Sequence, residues 1–274
     1  MVIYSHSRLS TFEQCKLRFK YRYIDKIKPE FEMSIESHLG STVHNTLEWI
    51  YKTILSRNPA PLIEQVIDYY AEEWQKNFNS DMKIVKDLKA KDYFNKGVVF
   101  LLDYYTKHYP FDDGTLECEK KVLIDIHGHT LQGFIDRLVH NKETDEYEIH
   151  DYKTASNLPT QEKINTDRQL ALYSIAIQET FGAKKVCLTW HYLAHNKKIC
   201  SYRTQEQIEN LKREIKELIE VIESTTNFPA KKSALCDWCE YKSMCPMFGG
   251  TPDKTKTNQI NLEKYPTAGK YIRD

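Results

Sequence analysis

Two carboxylates and an amine stand at a spacing that can do chemistry. Asp136 closes the run Gly133-Phe134-Ile135-Asp136, and fifteen residues later comes Asp151-Tyr152-Lys153. Side chains alternate between faces along a strand, so Asp151 and Lys153 share one face and Tyr152 takes the other. If the strands bearing Asp136 and Asp151 are neighbours, both carboxylates and the ammonium converge on one spot. Hard oxygen ligands of this kind hold Mg²⁺ or Mn²⁺, and such an ion polarises a phosphate and lowers the pKa of a bound water. The Lys153 ammonium can orient that water and offset the negative charge that develops. Hydrolysis of a phosphodiester needs that set. A second donor set is made of thiols: Cys236-x2-Cys239-x5-Cys245, followed by Pro246, is a metal site one ligand short of four.

The elements that must position these groups are legible in the hydrophobic pattern. Ser10-Thr11-Phe12-Glu13 reads as a capping box, which predicts a helix starting there with Cys15 in its early turns. From Gly40 onward Val43, Leu47, Ile50 and Ile54 recur at helical spacing and place His44 on a helix. Residues 61–78 and 81–108 read as two more helices. Then the period changes. Residues 116–126 alternate like a strand, His127-Gly128-His129 reads as a hairpin turn, and 131–139 and 146–153 complete a three-strand meander. Residues 166–181 read as a helix, 185–193 and 199–203 as strands. Thr204-x-x-Gln207 caps a long charged helix to about residue 225. The fold expected is α/β, a mixed central sheet over 116–203 flanked by helices, with a helical insertion at about 58–112 and a cysteine clip at the C-terminus. One domain is expected over 1–248, followed by a Lys- and Thr-rich tail at 249–274 with little order of its own.

Composition narrows the function. The chain has 274 residues, 39 basic and 39 acidic, so net charge gives no general attraction to nucleic acid. DNA binding would have to come from local clusters. Candidates are Lys16, Arg18, Lys20, Arg22, Lys26 and Lys28, and, in the tail, Lys254, Lys256, Lys264, Lys270 and Arg273. No apolar run approaches a membrane span, and the N-terminus lacks the pattern of a signal peptide, so a cytoplasmic protein without a membrane partner is expected. No P-loop is present, which excludes an NTP-driven motor in this chain. Seven uneven cysteines do not suggest a disulfide framework; Cys118, Cys187 and Cys200 are isolated, and two of them lie in apolar runs suited to buried free thiols.

Four segments, in order, resemble the GxxxH, GxxD, D-x-K and QxxxY motifs of RecB-like PD-(D/E)XK nucleases. They are Gly40-Ser41-Thr42-Val43-His44, Gly133-Phe134-Ile135-Asp136, Asp151-Tyr152-Lys153 and Gln169-Leu170-Ala171-Leu172-Tyr173. Ile135 stands where the family name has proline. The resemblance implies a restriction-endonuclease-like fold. It also implies that His44, Asp136, Asp151 and the backbone carbonyl of Tyr152 ligate Mg²⁺ or Mn²⁺, and that Lys153 is the catalytic lysine. Gln169 and Tyr173 would support the site or the DNA strand. Glu117 or Glu119 would match an upstream acidic residue, with the choice open. The activity implied is DNA hydrolysis, single-stranded and exonucleolytic, in repair, recombination or defence. The alternative is an accessory or inactive DNA-binding subunit of a helicase–nuclease or CRISPR-adaptation complex.

The same resemblance supplies a fourth thiol. Ser7-x-Leu9-x3-Glu13-x-Cys15 is similar to the N-terminal cysteine motif of iron–sulfur nucleases of the AddB and CRISPR-adaptation type, although Lys16 replaces the usual proline. It implies a 4Fe–4S cluster on Cys15, Cys236, Cys239 and Cys245, with structural Zn²⁺ as the alternative. Joining ligands 221 positions apart would close most of the chain into a loop. By analogy with a disulfide such closure stabilises by about 4–5 kcal/mol, which makes the clip a structural staple.

Overall fold

The computed structural model describes residues 2–251. The basic tail cluster beginning at Lys254, and most of the 249–274 segment, lie outside the described residues. Five strands form one mixed sheet in chain order: β1 (Thr115–Ile126), β2 (His129–Asn141), β3 (Glu146–Lys153), β4 (Val186–Tyr192) and β5 (Lys197–Ser201). Only the β3/β4 pairing is parallel; the others are antiparallel. The β1/β2 hairpin turns in two residues, His127 and Gly128, both at positive φ (50° and 86°), which matches the twist of the strands it joins. The chain reaches from β3 to its parallel neighbour through two helices, α6 (Gln161–Asn165) and α7 (Gln169–Phe181).

Each face of the sheet buries a separate apolar layer. On one face Ile135, Leu138, Ile149, Leu188 and Trp190 pack with α1 (His6–Gln14), α7 and α8 (Gln205–Ser224). The α8 stripe Ile208, Leu211, Ile215, Ile219, Ile222 is wholly buried, as its helical spacing requires. On the other face α3 (Ile35–Leu55), α4 (Ile63–Asn77) and α5 (Ala90–His108) enclose Val43, Leu47, Tyr70 and Leu101 together with Tyr152 and Leu193 of the sheet side. A short α2 (Lys16–Phe19) and a π-helical turn (Lys20–Ile24) follow α1. No helix among the described residues is long and apolar enough to cross a membrane.

Three helix boundaries differ from the sequence reading, each for a local reason. The first helix begins at His6 because Ser5, in an extended conformation, accepts from the Arg8 N–H and caps it; Cys15 is then its C-cap, beyond the early turns. The helix with His44 begins at Ile35, capped by Ser34 accepting from Ser37 N–H, which adds Ile35 and Leu39 to the buried face. Residues 81–89 are not helical. There Lys83 pairs with Ser34 and exchanges backbone bonds with Met33 and Ile35, and α5 starts only where Asp92 accepts from the Lys89 N–H. Within the segment 58–112, α5 packs on the sheet and contributes to its second apolar layer.

Candidate metal centre

The site forms where β2 and β3 part. Their pairing runs from Asn141↔Glu146 to Arg137↔His150 and stops there. One position further, Asp136 Oδ2 accepts the backbone N–H of Tyr152 at 2.9 Å, so a carboxylate takes the place of the next ladder bond. His44 reaches in from α3. Its Nδ1 lies 3.2 Å from the same Asp136 oxygen and its Nε2 lies 2.7 Å from the Tyr152 carbonyl. A neutral imidazole has one N–H, so it can donate to one of these two acceptors at a time.

Glu119 joins them from β1. Donor atoms of His44, Glu119 and Asp136 lie within 4.8 Å of one another, the one such group of three or more among the described residues. Between Cys118↔Arg137 and Lys120↔Ile135 the β1/β2 register places Glu119 opposite Asp136. Its backbone sits at φ +52°, a left-handed conformation that costs a non-glycine residue on the order of 1 kcal/mol or more and concentrates at functional sites. Glu117 is turned away and pairs with Lys120 at 2.6 Å. The choice left open in the sequence falls to Glu119.

Asp151 and Lys153 share a face, as their spacing requires. Lys153 Nζ lies 2.9 Å from Asp151 Oδ2 and donates to Gln169 Oε1 at 3.0 Å; Gln169 Nε2 donates to Asp151 Oδ1 at 3.2 Å. The three side chains close a ring. Gln169 is the first residue of α7, and its own N–H is taken by Asp167 Oδ1 at 2.9 Å. Burial pushes the Asp151 carboxyl above its ordinary pKa, against the pull of Lys153. Burial works against the Lys153 charge, but Asp151 overrides it and holds the ammonium protonated above the usual lysine range. Asp151 therefore faces Lys153 and Gln169 and stands outside the tight His44–Glu119–Asp136 group.

Tyr173 connects two motifs. A Cβ on Gly133 would lie 2.1 Å from Tyr173 Cε1, so the tyrosine ring occupies the space that glycine leaves on β2. Its phenol is pushed up to about 12 by burial and by the Asp151 charge. Sequence reading missed His6, whose ring is held down at about 3 by burial, with Arg168 and Lys153 adding to the effect. It also missed Asp167, whose signal was its place just before Gln169.

The thiols lie elsewhere, on two segments, residues 15–30 and 236–245, that dock against each other. Glu30 N–H donates to the Glu240 carbonyl, Tyr241 Oη donates to the Ile27 carbonyl at 3.2 Å, and Arg18 and Arg22 both pair with Glu240. Tyr21, Ile27, Tyr241 and Met244 form a small core with Leu17 and Cys239 against it. Cys15, Cys236, Cys239 and Cys245 are all partly buried free thiols, and burial holds Cys239 up at about 11. Half of the N-terminal basic cluster is held in ion pairs, Arg18 and Arg22 on Glu240 and Lys20 on Asp25. Of the three isolated cysteines two, Cys118 and Cys187, are buried, and Cys200 is exposed.

An α/β sheet that gathers Glu119 and Asp136 from its strands and His44 from α3 presents a donor group that could hold a metal ion. The chain belongs to the PD-(D/E)XK nuclease superfamily, whose family description it matches over residues 3–246. No curated protein matches it. A crystal structure of a candidate exonuclease from Eubacterium rectale superposes with a TM-score of 0.53 at 13% identity, covering 87% of each chain. At that identity the likeness speaks for the fold alone. A second structure, SSO0001, has 16% identity, covers 57% of this chain and 74% of that one, and has a TM-score of 0.34, which carries no argument.

Proposed function

We propose that this chain is a Mg²⁺- or Mn²⁺-dependent deoxyribonuclease that cuts single-stranded DNA from an end. The observation that carries this reading is the gathering of His44, Glu119 and Asp136 within 4.8 Å beside the Asp151–Lys153 pair. One imidazole and two carboxylates, with the Tyr152 carbonyl and Asp151 adjoining, are the hard donor set a divalent ion takes. Such an ion, when bound, supplies Lewis-acid polarisation of the phosphate and acidification of a coordinated water. The protein groups do the rest. Gln169 holds Lys153 and Asp151 in one orientation, so the ammonium is fixed where negative charge grows on the phosphate. His44 binds Asp136 and Tyr152 and so ties helix α3 to the strand ends. Single-strand and end preference follow the motif resemblance, as does action in repair, recombination or defence.

The thiol-bearing segments are read as the holder of a 4Fe–4S cluster on Cys15, Cys236, Cys239 and Cys245, or of zinc on the same thiols. Their segments dock through Glu240 and Tyr241, and a domain over 1–248 would be closed by that joint. Iron, sulfide and zinc analysis of anaerobically purified protein decides between the two.

The test of the activity is cleavage of end-labelled single- and double-stranded DNA with Mn²⁺. Asp151→Ala and Lys153→Ala should each abolish product, by at least a hundredfold, with unchanged circular dichroism. Cleavage surviving in both variants would remove the assignment.

A further inference from the structure

Arg137 is the largest charged side chain that the fold buries completely, at 1% exposure, and the chemistry above makes no use of it. It directly follows Asp136 on β2, and it meets Tyr51 of α3, the helix that also carries His44. Burying a guanidinium is costly unless its donors are met, so its partners show what it is for. Nε donates to the Tyr152 hydroxyl at 3.0 Å, Nη2 to His150 Nδ1 at 2.7 Å, and Nη1 to Thr115 Oγ1 at 3.0 Å and to the Asp113 carboxylate. The guanidinium also lies 4.2 Å from the Tyr51 ring centroid. These partners come from the start of β1, from β3 and from α3, so one side chain on β2 joins three neighbouring elements.

The position of this joint matters. Arg137↔His150 is the last backbone-paired position of β2 and β3 before they diverge. Beyond it the strands are linked twice through Tyr152: Asp136 accepts from its backbone N–H, and Arg137 donates to its hydroxyl. Tyr152 is thus held at both ends by consecutive residues of β2. His150 Nδ1 accepts from Arg137 and also lies 2.8 Å from His191 Nε2, while His150 Nε2 can donate to Glu148 at 3.0 Å. Tyr104 completes the ring at 3.2 Å from the Tyr152 hydroxyl.

We propose that Arg137 is a positioning residue which, through the Tyr152 hydroxyl, sets the opening of the β2/β3 fork and with it the spacing of the Asp136 carboxylate and the Tyr152 carbonyl. This rests on the reading of that fork as a divalent-metal site. Lysine keeps the charge but offers one point donor in place of a planar fork, so it cannot span Tyr152, His150 and Asp113 together. Tyr152→Phe removes only the hydroxyl and leaves the backbone carbonyl in place.

The experiment is Mn²⁺ titration calorimetry on the full chain and its Arg137→Lys and Tyr152→Phe variants, with kcat and KM on single-stranded DNA alongside. The expected result is a fall of at least tenfold in Mn²⁺ affinity and a fall in kcat in both variants, with KM for DNA within about twofold of the wild type. If Arg137→Lys does not fold, Tyr152→Phe carries the test alone. Wild-type Mn²⁺ affinity in a folded variant overturns the positioning role, even if its thermal midpoint drops. A wild-type protein that takes up no Mn²⁺ overturns the metal reading itself, and this proposal with it; Asp136→Ala serves as the blank for that outcome.

Discussion

Gly133 and Tyr173 belong to different motifs in the sequence, forty residues apart, yet they make one contact. Adding a methyl at 133 drives it to 2.1 Å from Tyr173 Cε1 and 2.6 Å from Cζ, and the ring cannot yield easily because Tyr173 is only 7% exposed. Gly133→Ala should therefore cost about 1–3 kcal/mol of stability through overpacking, and should disturb cleavage as well. In a Tyr173→Ala background the same change should cost almost nothing, since the space is then vacant. Urea denaturation of the two single variants and the double gives the coupling directly. Equal costs in both backgrounds would show that the two residues do not contend for the space. The residue scale is also where sequence pattern ran out of information. Glu117 and Glu119 share a strand face by period two, so alternation could not separate them; what does is a backbone at φ +52°, which places Glu119 against Asp136. Arg137 drew no reading from the sequence, because burial of its guanidinium depends on partners from Asp113 to His150 that only the folded sheet assembles.

At the scale of elements, legibility followed how local the cause was. The Thr204–Gln207 capping box, the two-residue turn at His127-Gly128 and the 146–153 strand are fixed by neighbouring residues, and each stands where the pattern put it. The cap of the first helix was expected at Ser10 and stands at Ser5, so that Leu9 and Phe12 both pack into the core from one helix. The break at 81–89 was hidden because its cause, pairing of Lys83 with Ser34, is distant in sequence. The helices at 58–112 were expected as an insertion, and from within that segment Tyr104 of α5 lies against both Tyr152 and His191, with ring centroids 5.5 Å apart in each case. Replacing 58–112 with a short linker would open the buried face bearing Arg137, His150 and Tyr152 to water. The expected product is unfolded or aggregated, by circular dichroism and size-exclusion chromatography. A soluble deletion that keeps native β-sheet signal would mean that the helices are a detachable module after all.

For the molecule as a whole, the buried histidines set the response to acid. His38, His150 and His191 are 1%, 3% and 4% exposed, and burial lowers each pKa: His38 to about 4, the other two well below the usual value. His6 is held at about 3, chiefly by burial. They are spread through the layers, with His38 against Trp74 in the helical layer, His150 and His191 on the sheet, and His6 on α1. In the unfolded chain each takes a proton near pH 6.5, whereas in the folded protein each refuses it until the pH is lower. Between those values the unfolded state binds more protons, so stability falls as pH drops, by up to about 1.4 kcal/mol per pH unit for each histidine. This window opens above the range of ordinary carboxylates, so the loss between pH 7 and pH 5 reports histidines first. Guanidinium denaturation at the two pH values should show a clear drop at pH 5. In His38→Phe, which keeps an aromatic ring beside Trp74 but has nothing to protonate, that drop should shrink by up to about 2 kcal/mol. A stability that stays level from pH 7 to pH 5 in the wild type would contradict the account, because four folded-state histidines that resist protonation cannot leave the balance unmoved.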